Sequence, residues 1–511
     1  MLRRPLLPLF ADHRPIATED DLPEQIPERA DIRQLRTQAK DLLRSLKGAD
    51  ALSKVKLSEA QLLIARKYGF ESWPKLVDKV ETPILIEQFK RAIEAGDATA
   101  LERLLKTKAS LRKLINEPMF DFDSQPILRA SSHAEAWRLL PILVAYGADP
   151  NIRSKWWAGG FSALDTAHGE TVDLLVNLGA KFDVWSAAGQ GKLEILRKLL
   201  DTDPASVNAL GGDGETPLHF AATAEIAELL IQRGADLEQR DVDHEGTPIQ
   251  YQVNKPEILR VLLRHGAEPD IFTAVALNDV ELARKILRDD PSAASASVGS
   301  APFVTRQSHG GHIYCYNLGN NKTPPQVAAE KGSQAVLEEL EKHISPAGRL
   351  VAAAWVEDKV AVDAILREHP NLGREMGSDA RSITDAAQAG KTETVRLLLH
   401  AGLDPKTPGM DTGTAIHTAC WCGHLEVVRL LIGLVPLDFT DSVHKSPPLG
   451  WAAHGSQWCR NPAGDYVGVV DLLLRSGADP NAPANLNGTS MLTQAGSRED
   501  VKEVLRKFGA K

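Results

Sequence analysis

Four side chains in the C-terminal half of the chain recur at an interval of 33 residues, namely Trp355, Gln388, Trp421 and His454. Trp451 and Trp458 lie close to His454 in sequence. Large aromatic side chains that stay exposed commonly mark binding surfaces, so this set predicts a site of recognition. The alternative is that each tryptophan packs against the second helix of its own repeat.

The same aromatic side chains raise the question of catalysis. Sugar-processing sites combine tryptophan platforms with two carboxylates roughly 5 to 10 Å apart, and Asp385 and Glu357 lie near the tryptophans in sequence. Asp165, next to Trp156 and Trp157, is a further acidic candidate. The sequence contains no GxSxG, GxxxxGK or HExxH motif. Whether the chain is an enzyme stays open, and a role without catalysis is favoured.

Histidine and cysteine residues cluster twice. The first group is His309, His312 and Cys315, in a segment where Arg306 and Tyr314 are also candidate ligand contacts. The second group is Cys420, Cys422, His424, His454 and Cys459. A tetrahedral zinc site needs four converging ligands, and neither group has the spacing of a zinc finger. We therefore predict no metal site and no cofactor.

The elements that position these residues come from an internal repeat of about 33 residues. The stretch DGETPLHFAA, which begins at Asp213, recurs as TGTAIHTACWCGHLEVVRLLI from Thr412 and in degenerate forms elsewhere. A second apolar stretch of the VVxLLLxxGADPN kind follows each time. Because one helix pair cannot cover its own apolar faces, successive pairs are expected to stack.

Within one repeat, Thr216 is expected to open the first helix as its N-cap. Leu218, Ala221 and Ala222 then form a narrow apolar stripe at helical spacing. A second helix is expected over residues 225–233, with Gly234 as its left-handed stop.

At these residues the chain resembles the ankyrin repeat family. The resemblance implies an all-α solenoid, in which we count about thirteen helix pairs, and it implies that partners bind in a concave groove. The family's groove positions fall on Trp355, Gln388, Trp421 and His454. It further implies that His219 and His417 hydrogen-bond between neighbouring repeats instead of taking part in catalysis.

The pattern predicts five segments. They are a flexible arm over 1–29, a small helical module over 30–81, ankyrin-type repeats over 82–297, an inserted loop over 298–321 and further repeats over 322–511. The module resembles one that precedes ankyrin arrays in many bacterial proteins, and Phe70 and Trp73 are interpreted as its core. A second, shorter insertion covers 456–466. Long irregular insertions are usually functional or disordered.

Composition restricts the class of partner and the compartment. The formal net charge is −9, and no run of five basic residues occurs, so nucleic acid is not expected as a partner. The four cysteines are too few for a disulfide framework, which favours a reducing compartment and a cytoplasmic location. No stretch is long and apolar enough to span a membrane.

The leading hypothesis is therefore an interaction scaffold that holds a protein or peptide in the groove of its C-terminal repeats. The alternative is an enzyme or a protein that binds a small molecule, such as a carbohydrate, in the same aromatic groove. If the 298–321 loop closes a pocket over the tryptophans, a small molecule is favoured; an open, shallow groove favours a protein.

Overall fold

The computed structural model describes residues 24, 26, 31–49, 55–304, 310–459 and 461–511. The regular elements in these ranges are α-helices and short 3-10 helices, and β pairing within them is limited to isolated bridges. The prediction of an all-α fold is confirmed. The described residues fall into two compact units that meet in sequence between Ser186 and Ala187. Among the described helices, none combines the length and the apolar character that a membrane span requires.

In its described residues, the first unit contains nine α-helices. They are α1 (Ile32–Ala49), α2 (Leu57–Lys67), α3 (Trp73–Glu94), α4 (Ala98–Thr107), α5 (Ala109–Lys113), α6 (Pro126–Ser131), α7 (Ala136–Ala145), α8 (Ala163–Thr166) and α9 (Glu170–Asn177). The boundary between the units lies within α10 (Val184–Gly189).

The described residues of the second unit contain nineteen further α-helices. They are α11 (Leu193–Thr202), α12 (Ala224–Gln232), α13 (Pro248–Tyr251), α14 (Pro256–Arg264), α15 (Ile271–Leu277), α16 (Val280–Asp289), α17 (Tyr314–Asn317), α18 (Pro324–Lys331), α19 (Gln334–Leu340), α20 (Pro346–Trp355), α21 (Lys359–Glu368), α22 (Ser382–Gln388), α23 (Thr392–His400), α24 (Ala415–Cys422), α25 (Leu425–Leu431), α26 (Pro448–Trp458), α27 (Tyr466–Arg475), α28 (Met491–Gln494) and α29 (Glu499–Lys507).

Helix α3 takes part in two hydrophobic cores of the first unit. Leu76 and Val80 belong to the core that α1 and α2 share, against which Phe70 and Trp73 pack as partly buried side chains. Further along the same helix, residues 85–93 belong to the core of α4 to α9. The helix therefore runs across the predicted boundary at residue 81, and the five-segment division stays a prediction.

The repeat that begins at Asp213 differs from the expected helix pair. Leu218 and Ala221 are fully buried as predicted, but residues 217–220 form a single turn instead of a helix. The reason is the backbone of Ala222, whose N–H donates to the carbonyl of Ala188 at 3.1 Å and not to its own preceding turn. The second helix, α12, lies one residue before the predicted span.

The C-terminal repeats follow the predicted period closely. The first helices α22, α24 and α26 begin at residues 382, 415 and 448, which are 33 apart, and they pack on one another in that order. Their buried side chains form one continuous core over residues 347–505. Two glycines allow the close approach: a Cβ on Gly455 would lie 2.2 Å from the carbonyl oxygen of Trp421, and one on Gly413 would lie 2.8 Å from the ring of Trp451.

Candidate binding site

A cavity of about 400 Å³ lies among the C-terminal repeats of the second unit. Its lining combines aromatic, aliphatic, amide, hydroxyl and acidic side chains, namely Met410, Asp411, Trp421, His444, Ser446, Trp451, His454, Asn485, Leu486, Asn487 and Gln494. Helix α24 supplies Trp421, and α26 supplies Trp451 and His454. Turns before α24, before α26 and before α28 supply the remaining side chains, apart from Gln494 at the end of α28. We call this cavity the aromatic pocket.

The rings around the aromatic pocket form a connected set. The centroids of Trp421 and His454 are 5.3 Å apart, and those of Trp421 and Trp451 are 6.3 Å apart in an edge-to-face arrangement. His454 continues the set to Trp458 at 6.5 Å. Such aromatic pairs stabilise one another beyond their buried area. The set therefore presents a pre-arranged apolar surface. Trp458, at the end of the set, is 56% exposed.

Trp451 forms the inner wall of the aromatic pocket and is only 5% exposed. Its indole Nε1 donates to Asp441 Oδ2 at 2.9 Å, and the backbone N–H groups of His444 and Ser446 donate to the same carboxylate. Burial alone would raise the pKa of Asp441, but these hydrogen bonds outweigh it and hold the pKa below its usual value. The ionised carboxylate thus fixes the orientation of the Trp451 ring.

The polar edge of the aromatic pocket carries one exposed carboxylate. Asp411 has a left-handed backbone with φ +47 and lies 3.3 Å from His444 Nε2. Burial and the neighbouring His444 together lower the pKa of His454. The pocket therefore offers ring faces and edges, amide groups and an acidic rim to a ligand.

Trp355 does not take part in this surface. The sequence predicts an exposed ring, but Trp355 is 2% exposed and this expectation is wrong. Its Nε1 donates to Glu330 Oε1 at 2.6 Å, and Lys391 Nζ lies 5.3 Å from the ring centroid. Neighbouring repeats therefore enclose the ring on both sides, which removes it from the candidate site.

Gln388 lies between two cavities. Its side-chain amide is 3.9 Å from the sulfur of Met410, a residue that also lines the aromatic pocket. Gln388 itself lines a second cavity of about 330 Å³ together with Asn321 and Arg381. Of the four side chains at 33-residue spacing, Trp421 and His454 are in contact, and Gln388 is linked to them through Met410.

The described part of the first insertion has a structural role. His312 and Tyr314 are completely buried, and the Tyr314 hydroxyl donates to Asp270 Oδ2 at 2.8 Å. Before them, the N–H of Gly310 donates to Asp243 at 3.1 Å, and His244 Nδ1 lies 2.9 Å from the carbonyl of Gly311. His312 and Tyr314 are therefore core residues and not exposed ligand contacts. The candidates Arg306 and His309 lie outside the described residues.

An acidic cluster beside this insertion escaped the sequence analysis. Ligand atoms of Asp213, Asp243 and His244 lie within 4.8 Å of one another, a grouping that could hold a cation. Burial would lower the pKa of His244, but its interactions with Asp213 and the Gly311 carbonyl raise it to about 9. His244 is then an imidazolium at neutral pH, and its charge compensates the neighbouring carboxylates.

The second predicted cysteine and histidine group does not converge on one point. Cys420 is fully buried, and His424 Nε2 lies 3.0 Å from the carbonyl of Gln388. Cys422 and Cys459 are the exception, because their sulfur atoms are 3.6 Å apart. The group contains a pair of thiols and not a set of four converging ligands.

Two of the three carboxylates considered for sugar chemistry, Asp385 and Asp165, have structural partners. Asp385 accepts a hydrogen bond from Asn321 at 3.2 Å and lies near Arg381, and its pKa is raised by burial. Asp165, in the first unit, accepts from the Ser162 N–H at 2.7 Å and pairs with Arg153 at 3.0 Å. Asp165 thus caps its helix at the position where other repeats have histidine.

His219 and His417 make the predicted contacts within and between repeats. The Nδ1 atom of His417 accepts from the Thr414 N–H at 3.2 Å, and Nε2 lies 3.0 Å from the carbonyl of Phe439. His219 makes the same contacts to Thr216 and to the carbonyl of Gly246. Burial lowers the pKa of both imidazoles to about 4.

One sequence signal for the pocket was overlooked. The pattern Asp-x-x-His-x-Gly/Ser occurs as DVDHEG from Asp241 and as DSVHKS from Asp441. In both copies the aspartate accepts the N–H of the histidine at 2.5 Å and the N–H of the residue two positions later. The repeated turn would have indicated that the side chain of Trp451, ten residues after Asp441, is held in place by the turn that precedes its helix.

The chain is similar to proteins that contain ankyrin repeats. An E3 ubiquitin-protein ligase, KEG, of Arabidopsis thaliana is 26% identical over 337 residues, which cover 62% of this chain and 18% of that protein. The ankyrin repeat and SAM domain-containing protein 6 of Mus musculus is 35% identical over 92 residues, or 17% of this chain and 10% of that protein. The ankyrin repeat protein nuc-2 of Neurospora crassa is 23% identical over 278 residues, or 52% of this chain and 25% of that protein.

The aligned part of the chain spans well under two thirds of each of these relatives. All three come from eukaryotes, so they give no support to a bacterial variety with its N-terminal helical module. The ankyrin repeat family model, described as three copies of the repeat, matches residues 184–273 and 383–484. Together with the stacked helix pairs, this match confirms that the chain contains ankyrin repeats, as its sequence predicts.

Proposed function

We propose that this protein is an ankyrin-repeat scaffold that holds a segment of a partner protein at the aromatic pocket of its C-terminal repeats. The observation that carries the proposal is the cavity of about 400 Å³ beside Trp421, Trp451 and His454. Aromatic side chains at the centre of an interface commonly supply most of its binding energy. The partner would insert one large side chain between these rings.

The surroundings of the pocket indicate what kind of segment fits. Leu486 and Trp458 are 59% and 56% exposed, so apolar contacts continue beyond the cavity itself. Asp411 adds a negative charge at the edge, and the whole chain has a net charge of −9. An aromatic or basic side chain on the partner would satisfy both the ring faces and the acidic rim. Nucleic acid is a poor match for this charge.

The pocket also has the size of a small-molecule site, for which volumes of roughly 300–1,000 Å³ are typical. A small-molecule ligand is therefore the second candidate. A cytoplasmic location is part of the proposal because Cys315, Cys420, Cys422 and Cys459 are all free thiols. The ligase activity in the name of the Arabidopsis relative belongs to that protein, and we do not propose it here.

The test is selection of peptides from a random display library on the intact protein. Peptides bound at the pocket should lose about 5- to 150-fold in affinity for Trp421→Ala, which corresponds to roughly 1 to 3 kcal/mol. Trp137→Ala is the matched control, because Trp137 lies in the other unit and is 65% exposed.

The outcome separates the two candidates. Peptides that bind both variants equally would contradict the proposed site. If no peptide is selected but sugars or other small molecules raise the melting temperature of the wild type and not of Trp421→Ala, the second candidate is correct. Because Trp421 packs partly against the core, the variant must first be shown to unfold as cooperatively as the wild type.

A further inference from the structure

Two thiols meet at the edge of the C-terminal repeats. Cys422 is the last residue of α24, and Cys459 directly follows α26. The two are 37 positions apart in sequence, but their sulfur atoms are separated by 3.6 Å, within hydrogen-bonding distance. A thiol in a reducing environment does not need a second thiol beside it. The close approach of these two thiols therefore indicates a chemical role for the pair.

The backbone around the pair holds the two sulfurs at this distance. Asn461 Nδ2 donates to the carbonyl of Cys422 at 2.7 Å, and the Asp465 N–H donates to the carbonyl of Gly423 at 2.9 Å. The residues that follow Cys459 are thus fastened to the end of α24. A Cβ on Gly464 would lie 2.7 Å from the Cys422 carbonyl oxygen, so only glycine permits this contact. The shorter insertion therefore brings the thiols together.

The two thiols differ in access and in acidity. Cys422 is 8% exposed, whereas Cys459 is half-buried and follows the exposed Trp458. The hydrogen bond with Cys422 lowers the pKa of Cys459 below its usual value, and the same contact raises the pKa of Cys422. A thiolate is the nucleophile in thiol oxidation, so Cys459 is the member of the pair that reacts first.

We propose that Cys422 and Cys459 form an oxidisable dithiol, in which a peroxide converts the two thiols into a disulfide. The Cys459 thiolate attacks one oxygen of hydrogen peroxide, which breaks the O–O bond, releases hydroxide and leaves a sulfenic acid on Cys459. The sulfur of Cys422 then attacks the Cys459 sulfur, the S–S bond forms, and the sulfenic oxygen leaves as water with the thiol proton. Overall, two thiols and one peroxide give one disulfide and two waters.

The product would lie next to the aromatic pocket. Trp421 precedes Cys422, and Trp458 precedes Cys459, so the disulfide would join the ends of the two helices that supply the pocket's rings. A disulfide requires a sulfur separation of about 2.05 Å, so the two sulfur atoms, now 3.6 Å apart, must approach each other by about 1.5 Å.

The experiment treats the intact, folded protein with dilute hydrogen peroxide, blocks the remaining thiols and digests it without reduction. The expected product is a peptide pair joined through Cys422 and Cys459, with a mass lower by two hydrogens. It should form about tenfold faster than any oxidation of Cys315, which is half-buried and whose pKa is raised by burial. A Cys315→Ser variant is the matched control and should form the same product at the same rate.

Two substitutions separate the roles of the thiols. In Cys422→Ser, Cys459 should form the sulfenic acid and then oxidise further without forming a disulfide. In Cys459→Ser, the thiol of Cys422 should remain unreacted. The proposal is overturned if Cys459 of the wild type goes to the sulfinic acid while Cys422 stays free. It is also overturned if the joined peptide appears only once circular dichroism shows loss of helix. Peptide binding at the pocket is measured separately, so failure of the dithiol leaves the proposed function untouched.

Discussion

Replacing His417 by glutamine should make the C-terminal repeats less sensitive to acid while leaving them folded at neutral pH. The chain itself suggests this change, because Gln250 and Gln326 occupy the same position in other repeats. There the amide oxygen accepts the N–H of the capping threonine at 3.0 and 2.8 Å, as the His417 ring nitrogen does at 3.2 Å. Glutamine can therefore keep the cap but does not titrate.

The magnitude follows from the pKa of the buried imidazole. Burial lowers the pKa of His417 from 6.5 to about 4, against the opposing hydrogen bond to the Phe439 carbonyl and the nearby Asp441. As the pH falls, the imidazole therefore takes up its proton at a lower pH in the folded state than in the unfolded state. The stabilisation is complete above pH 6.5 and is lost as the pH falls toward 4. Between pH 7 and pH 5, this one group should cost roughly 2 kcal/mol.

The assay is amide hydrogen exchange resolved to α24 and α26, because repeat arrays open locally and need not unfold in one step. The opening free energy of these helices should fall between pH 7 and pH 5 by about 2 kcal/mol more in the wild type than in His417→Gln. At pH 7 the variant should lose only about 1 kcal/mol, from the hydrogen bond to Phe439. Other titrating groups affect both proteins alike and cancel in the comparison.

Equal pH dependence in the two proteins would refute the reasoning, since the buried imidazole would then carry no linkage. His417→Ala supplies the second comparison. It should lose the same pH dependence but also the helix cap, which costs about 0.5–2 kcal/mol at every pH.

Three further predictions concern stability. Leu218→Asp places a charge at a fully buried position and should lower the free energy of unfolding by about 3 kcal/mol or more in urea titrations. The control Leu210→Asp, at a position that is 53% exposed, should change the free energy of unfolding by less than about 0.5 kcal/mol. Trp355→Phe should cost about 1–3 kcal/mol through its lost indole hydrogen bond and volume, and a neutral result in thermal unfolding would contradict its place in the core. Asp441→Asn should cost about 1–3 kcal/mol and shift the fluorescence of the released Trp451, while an unchanged spectrum would show that the carboxylate does not orient the ring.

The repeat period was predictable because it depends on local signals. Helices α22, α24 and α26 begin 33 residues apart, as the spacing of small and apolar residues indicates. The missing first helix after Thr216 was not predictable in this way. There the Ala222 N–H finds the Ala188 carbonyl, a partner in the preceding repeat, and such a tertiary contact overrides the local preference for helix.

The candidate site was predictable only in part for the same reason. The period correctly brings Trp421 beside His454, since equal offsets in stacked helices place side chains next to each other. The exposure of Trp355 depends instead on Glu330 and Lys391, which lie 25 positions before and 36 positions after it and enclose the ring. A side chain's position on its helix can be deduced from the period. Whether that side chain is exposed depends on residues in the neighbouring repeats.

The insertion at 298–321 shows how an irregular segment can be structural. The repeat that begins with α15 starts directly at Asp270, without the turn that precedes α13, α24 and α26. Gly310 and Gly311 contact Asp243 and His244 in its place. We infer that the described part of the insertion substitutes for the missing turn.

The two copies of the Asp-x-x-His turn then argue for the aromatic pocket as the site. At the first copy, His244 is covered by the insertion, whose Tyr316 ring lies 5.0 Å from it. At the second copy, His444 borders a cavity of about 400 Å³ between Trp421 and Leu486. The same turn is thus covered by the chain's own residues in the first copy, whereas in the second copy it lies beside a cavity. Because a ligand needs such a space next to ordered side chains, the second copy is where a partner would bind.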